Sequence, residues 1–446
     1  MSETESNLPG LSTKLAAMTR TTGAAQVQAH VVVLMVAFSL MSYFDRTIMS
    51  IAAPGIMKEF SLSETEMGWV FTAFLMSYAA MNLPGGHLAD RFGPRLVLTF
   101  MGLGAGLFTG LTALGGRPGL GSYLGIVPAF VAIRFAMGIC TGPLYPSCAR
   151  TFANWIPPSG HARVQGFIAA GAGLGGATSP LLFSWMISRY GWRMSFSLAA
   201  IATALLALWW LWYVRDHPSE HPSIGHKDRL SWQRAQPNSK RRNEEPTQWR
   251  QLFSNPSLML LTIGYFAVSY FEYIYFFWIY YYLGEIRHLG HRQTVAATTM
   301  VFLTWMVMSP LGGWVSDGLV KRYGRKTGRR LVPIVGLTLG ALLLCLGINM
   351  TATLPTVALL SLSFGFASCS DGPYWACAAE LGGKQVGAAC GILNTGGNLG
   401  GLAPLVTPFI ASHSSWSWGL YFASMILMGA VLTWFFIDPC KVLSEA

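Results

Sequence analysis

VVVLMVAFSLMSYFDRTIMSIAAPG, residues 31–55, is an apolar run of membrane-spanning length with an acid and a base, Asp45 and Arg46, at its middle. About 20 residues of helix cross roughly 30 Å of hydrocarbon. A helix also satisfies the backbone where no water is present. Similar runs recur along the chain, and 52% of the 446 residues are apolar while 11% are charged. Soluble domains carry roughly a quarter charged residues. The composition therefore excludes a water-soluble globule and predicts an all-α membrane protein.

Twelve spans are expected: 30–54, 67–88, 95–115, 121–147, 164–188, 193–214, 256–284, 293–318, 331–350, 354–380, 386–411 and 416–437. Residues 1–29 are polar without a short apolar run and cleavage site, and read as a cytoplasmic tail; 438–446 form a second tail. The net charge of +11 follows the loops. Lys14, Arg20, Arg91, Arg95, Arg150, Arg163 and the run Lys321, Arg322, Arg325, Lys326, Arg329 and Arg330 share one side with the central loop. The other side holds only Lys58, Arg117, Arg189, Arg193, Arg287 and Arg292. This positive-inside pattern places both termini in the cytoplasm and explains the basic balance without a nucleic-acid partner.

SYFD at 42–45 returns as SYFE at 269–272, and GGHLAD at 85–90 as GGWVSD at 312–317, both offset by 227 residues. Gly166, Gly171, Leu174, Gly175 and Gly176 recur as Gly391, Gly396, Leu399, Gly400 and Gly401, and Thr141-Gly142-Pro143 as Asp371-Gly372-Pro373. A polar loop at 215–255 separates the copies. The pattern predicts two pseudo-symmetric six-helix bundles, 30–214 and 256–437, as parallel repeats with a midplane site between them.

Five charges fall in the interior of the spans, away from their ends: Asp45, Arg46, Arg134, Glu272 and Asp371. Each costs roughly 2.5–3.5 kcal/mol on the gentlest insertion scale, on the order of 10 kcal/mol together. They persist by facing a wet cavity or one another. One reading is an ion-pair network that locks the halves together; the other is a set of substrate and proton sites. Arginine's planar fork matches a carboxylate or phosphate, so Arg46 and Arg134 make a candidate anion trap. For the acids, burial favours the neutral form and a neighbouring arginine the charged one. Adjacent residues project about 100° apart, so Asp45 and Arg46 need not share a partner.

Span seven is crowded with aromatics, among them Tyr265, Phe266, Tyr270, Phe271, Tyr273 and Tyr275. Most are expected to pack against lipid or helices, and those on the face of Glu272 to line the cavity. Asn82, Gln165, Asn394 and Asn398 either read substrate hydroxyls or join helices. GAGLGG at 171–176 fits a nucleotide-binding string, yet no strand precedes it, so its glycines are assigned to close helix contact. His217, His221 and His226 have no cysteine partners for zinc. Six cysteines lie within or at the edge of spans and Cys440 in the tail, without metal or disulfide spacing, so no cofactor is expected.

At GGHLADRFGPR (85–95) the chain resembles major facilitator proteins, whose loop between spans two and three reads G-x-L-A-D-R-x-G-x-[KR]. The degenerate copy is GGWVSDGLVKRYGRK at 312–326. Within that superfamily it resembles the anion:cation symporters, which include bacterial sugar-acid transporters, sialin and the vesicular glutamate transporters. YFDR (43–46), IRFAMG (133–138), RVQGFIAAGAGLGG and GILNTGGNLGG carry the likeness. It implies a substrate site lined by Tyr43, Arg46, Tyr78, Gln165, Trp375 and Asn394, with Asp45 as a proton-coupling carboxylate. Asp90 and Arg91, with Arg95 and Asp317, would belong to a cytoplasmic gate. Sugar-acid members carry a glutamate seven residues after the fourth-span arginine; Thr141 stands there instead, and the expectation is that Glu272 or Asp371 has taken over proton coupling.

The function expected is proton-coupled symport of a small organic anion by a monomer in the cell inner membrane, with no covalent chemistry. A multidrug or cation–proton antiporter and a transport-inactive membrane sensor are the rival readings.

Overall fold

The computed structural model describes residues 10–116, 119–156, 161–224, 249–382 and 386–440; for 10–24, 83, 90, 161–163, 165 and 386–387 it describes backbone alone. The first half comprises α1 (Gly10–Phe60), α2 (Glu64–Phe92), α3 (Pro94–Thr112), the single turn α4 (Gly121–Leu124), α5 (Ile126–Thr141), α6 (Leu144–Trp155) and α7 (His161–Tyr213). The second comprises α8 (Trp249–Ser254), α9 (Pro256–Tyr281), α10 (His291–Asn349), α11 (Thr353–Ser368), α12 (Asp371–Gly382), α13 (Val386–Asn398), α14 (Ala403–His413) and α15 (Trp416–Phe436).

Local chemistry starts these helices where the chain needs them. Ser63 and Glu66 form a reciprocal capping box at α2, satisfying two otherwise orphaned amides. Asn255 accepts from the Leu258 amide ahead of α9, and Pro256 takes the first helical position, where its missing N–H costs nothing.

Eight helical segments among the described residues are long and apolar enough to cross a bilayer. Two of them, Gly166–Tyr213 and His291–Asn349, hold 48 and 59 residues. At 1.5 Å per residue a straight rod of such length spans roughly 70–90 Å, far more than a bilayer. Each is interrupted by a glycine with non-helical backbone, Gly191 (φ 76°, ψ 163°) and Gly324 (φ 81°, ψ 165°). Beyond Gly324 the chain folds back, since Arg329 donates to the Asp317 carboxylate at 2.6 Å although 12 residues separate them. The repeat explains this break. Gly93 in RFGPR and Gly324 in RYGRK are equivalent, and both take φ near +80°, a conformation costly for any residue with a Cβ.

Within the first half α1 and α3 pack on α7, and α2 on α5; in the second, α10 packs on α11 and α15, and α9 on α13 and α15. The halves meet through α1 with α9, α7 with α10, and α2 with α13 and α14. The glycine string at 171–176 is used for close helix contact. A Cβ on Gly171 or Gly175 would lie 2.7 or 2.6 Å from the carbonyl oxygens of Val36 and Leu40 on α1. Their equivalents repeat the device: a Cβ on Gly400 would lie 2.5 Å from the Tyr270 amide.

One apolar core joins the halves at the ends of the helices remote from the linker, where Phe71 packs against Phe277 and Trp278 with ring centroids 4.9 and 5.3 Å apart. Hydrogen bonds reinforce that end. Ser50 donates to the Phe277 carbonyl at 2.6 Å, and Glu64 accepts from Tyr281 (2.6 Å) and Trp416 (3.0 Å). Ser184 and His291 add a contact of 3.0 Å between α7 and α10. The molecule is thus sealed at that end.

Candidate functional site

Asp45 and Arg46 lie side by side on α1 and point to different neighbours. Asp45, 1% exposed, turns into its own bundle, where its Oδ2 accepts from Thr203 on α7 at 3.0 Å. Arg46, 4% exposed, turns toward α2. Its guanidinium carbon stands 5.1, 5.2 and 4.8 Å from the ring centroids of Tyr43, Phe74 and Tyr78. Three aromatic faces hold a cation by their quadrupoles. Ring faces are not hydrogen-bond partners of the ordinary kind, and the Nε and Nη2 of Arg46 have no hydrogen-bond partner. Among the described residues no ion pair includes it.

Arg134, 2% exposed, is not brought to that box. It donates from Nη1 to the Asp45 backbone carbonyl (3.1 Å) and the Met137 sulfur (3.3 Å), and lies 5.9 Å from the Phe196 ring. Its Nε and Nη2 are also unpartnered. The second guanidinium therefore backs Asp45 rather than standing beside the first.

The other wall is acidic. Asp371 opens α12 and accepts from Ser309 at 3.1 Å, while its Oδ1 and the Oε1 of Glu272 have no hydrogen-bond partner. The two acids lie close enough to repel one another. Tyr43 and Tyr273 stand between the walls, each within electrostatic reach of both Arg46 and Glu272. The Tyr43 ring stacks on Trp305 (6.0 Å) and meets Phe276 edge-on (5.7 Å), crossing from one half to the other.

Amides lie on α2 and α13. Tyr273 donates to Asn398 Oδ1 at 2.7 Å, and Asn398 donates to the backbone and side-chain oxygens of Asn394 at 2.9 and 3.2 Å. Asn82 is occupied locally, donating to the Tyr78 carbonyl at 3.2 Å. Trp375, 39% exposed, donates its indole N–H to the Tyr265 hydroxyl at 3.1 Å. The Gln165 side chain lies outside the described residues. Thr141, where a glutamate was expected from the resemblance, bonds the Met137 carbonyl of its own helix at 2.9 Å.

The side chain of Asp90 is likewise outside the described residues. Arg91 is exposed over the Phe92 ring. Arg95 is tied within its own half, donating to the Leu211 carbonyl at 2.6 and 3.1 Å. Asp317 pairs with Arg329, which also pairs with Glu380 at 2.8 Å.

Thr203, Ser309, Trp305 and Glu380 were not legible as site or gate residues in the sequence. They are ordinary residues whose partners at the site lie 51 to 262 positions away, and no local pattern marks them.

Two helical bundles that share apolar contacts at one end, with unpaired buried charges between them, define a membrane carrier. The chain matches the Major Facilitator Superfamily over residues 35–402 and belongs to that superfamily, in its anion:cation symporter branch. It is 31% identical over 393 residues to a probable sulfoacetate transporter of Cupriavidus necator, covering 88% of each chain. It is 27% identical over 417 residues to a probable galactarate/D-glucarate transporter of Bacillus subtilis, covering 91% of this chain and 89% of that one. Among solved structures, a bacterial homologue of the human lysosomal transporter Spinster, inward-facing and unoccupied, superposes with a TM-score of 0.73 at 14% identity, covering 92% of this chain and 97% of that one. A D-xylose–proton symporter gives 0.70 at 17% identity, covering 92% and 98%. The family and these relatives are transporters, not enzymes.

Proposed function

We propose that this chain moves a small organic anion, a sugar acid, sulfonate or other carboxylate, together with protons by alternating access. The observation that carries this reading is Arg46: a fixed positive charge, buried in a ring of aromatics, with unpartnered Nε and Nη2 groups and no ion pair among the described residues. Leaving such donors unpaired is costly unless a ligand fills them. The names of the relatives, probable sulfoacetate and galactarate/D-glucarate transporters, point to the same ligand chemistry.

In the proposed cycle Arg46 binds the anion, with Tyr43, Tyr78, Gln165, Trp375 and Asn394 around it. Asp45 and one of Glu272 or Asp371 carry protons, and Arg134 positions Asp45. Protonation removes negative charge from the wall that faces the ligand; ionisation toward the cytoplasm restores it and expels the anion. Each net positive charge moved inward gains about 2.3 kcal/mol per 100 mV, roughly fifty-fold accumulation. The chain crosses a cell inner membrane twelve times, as a monomer, with bundles 30–214 and 256–437 and with tails and linker in the cytoplasm. The glycine breaks in α7 and α10, the internal repeat and the positive-inside loops support that topology.

Purified protein in proteoliposomes tests this. Uptake of labelled sulfoacetate or D-glucarate driven by an inward proton gradient, and collapsed by an uncoupler, is the expected result. Cation efflux, or no flux with any organic acid, would replace the reading with the antiporter or the sensor.

A further inference from the structure

Tyr265 and Trp375 lie on the two helices that carry the acidic wall. Tyr265 precedes Glu272 by seven residues on α9, two turns along the same face, and Trp375 follows Asp371 by four on α12, one turn along. The two helices therefore carry two rungs between them: the acids Glu272 and Asp371, and the hydrogen bond from the Trp375 indole to the Tyr265 hydroxyl at 3.1 Å. The same hydroxyl lies within electrostatic reach of Asp371 and Glu272. Because its lone pair accepts from Trp375, its own proton is free to point elsewhere. The ring is fixed by Tyr374, with centroids 5.2 Å apart, and by Gly397, where a Cβ would come 2.6 Å from it.

The repeat has no such rung in the first half. The equivalents of Tyr265 and Trp375 are Phe38 and Tyr145. Phe38 has no hydroxyl and packs edge-on to Trp210 at 5.5 Å. The device belongs to the half that kept both acids.

Resting on the proton-coupled reading above, we propose that Tyr265 is a positioning residue that transmits the charge of the Glu272–Asp371 pair to Trp375. With a carboxylate ionised, the phenol O–H is drawn toward it, and its oxygen becomes a better acceptor that holds the indole. With both acids protonated that pull is gone, the phenol turns, and the indole N–H is released to meet an anion. Proton binding thus completes the anion site. The titratable groups facing the acids are the phenols of Tyr43, Tyr265, Tyr273 and Tyr374 and the Cys369 thiol. Phenols and thiols ordinarily ionise above neutral pH, which leaves the carboxyls to set the response.

The test needs no substrate. Full-length protein labelled with 5-fluorotryptophan is titrated by fluorine NMR from about pH 5 to pH 8.5, a window around neutrality, and the Trp375 signal is assigned by its loss in Trp375→Phe. The wild-type signal is expected to shift with pH. It should hold one position in Tyr265→Phe and in the Glu272→Gln, Asp371→Asn double variant. A flat wild-type signal, or unchanged titration in either variant, overturns the proposal; should Tyr265→Phe fail to fold, the acid variant decides alone. Loss of proton-driven uptake by the wild type would instead sink the transport reading and leave this titration standing.

Discussion

Aligned through the repeat, the first half holds Asp45, Arg46, Arg134 and Thr141 where the second holds Glu272, Tyr273, Phe364 and Asp371. One half has two bases and one acid at mid-depth, the other two acids and no base. Phe364 occupies the place of Arg134 by stacking on Tyr275 (4.6 Å) and Trp305 (6.2 Å), so an aromatic core has replaced a guanidinium without disturbing the helix. The difference teaches that the scaffold tolerates loss of the charge at three of these four positions, while the Asp45 and Glu272 position is acidic in both halves. Neither wall neutralises itself, and burying an uncompensated charge is expensive. The charges stand on two faces with Tyr43 and Tyr273 between them, within electrostatic reach of both Arg46 and Glu272, the arrangement on which the proposed anion and proton carrier rests.

The largest break in this comparison comes from the basic wall. Arg46→Lys keeps the charge and loses the planar fork, and is expected to lower the initial rate of anion uptake at least about 100-fold, the equivalent of 2–3 kcal/mol. Uptake in proteoliposomes at matched protein content measures it, and a rate within a few-fold of wild type would remove Arg46 from the site. Next comes the acidic wall. Glu272→Gln with Asp371→Asn should abolish accumulation against a gradient, the roughly fifty-fold gain per charge at 100 mV, while anion exchange at equal pH continues. Equal loss of both fluxes would mean that these acids serve folding or binding instead.

A swap sharpens the same contrast. In an Asp371→Asn background, Thr141→Glu restores an acid to the equivalent place in the first half, and partial recovery of proton-driven uptake is expected. No recovery would show that the acidic wall acts only through its own neighbours, Ser309 and Tyr265. Gly175→Ala then probes the shared scaffold. Its Cβ would fall 2.6 Å from the Leu40 carbonyl, and such overpacking typically costs about 1–3 kcal/mol, read as a lower thermal unfolding midpoint in detergent.

The smallest effect concerns Glu59, at the sealed end of the first half, where Arg193 donates to it at 2.6 Å and Trp192 at 2.8 Å. The hydrogen bond from Arg193 holds its carboxyl below the usual carboxylate range. A depressed folded-state value means that its contribution is present above the unfolded-state value and is lost as pH falls through the folded one. Glu59→Gln should therefore shift the unfolding midpoint slightly at neutral pH, with the difference vanishing in strong acid. A difference that persists there would assign the effect to packing.

Much of this was legible before any fold was known. Apolar runs of bilayer length dictate helices, because a bilayer leaves the backbone few alternatives, and the 227-residue offset and the loop arginines carry the proposed duplication and orientation. Insertion cost alone marked Asp45, Arg46, Arg134, Glu272 and Asp371 as residues in need of a reason. Which of them meet was decided only by tertiary structure. A rotation of about 100° per residue sends Asp45 to Thr203 and Arg46 to Tyr78, and the helix pairing sets Arg134 behind Asp45 rather than beside Arg46. Tyr265 became distinct from the other aromatics of its helix only when α12 placed Trp375 against it. Periodicity along a chain specifies which face a side chain shares, whereas its partner across a gap depends on how two helices pack.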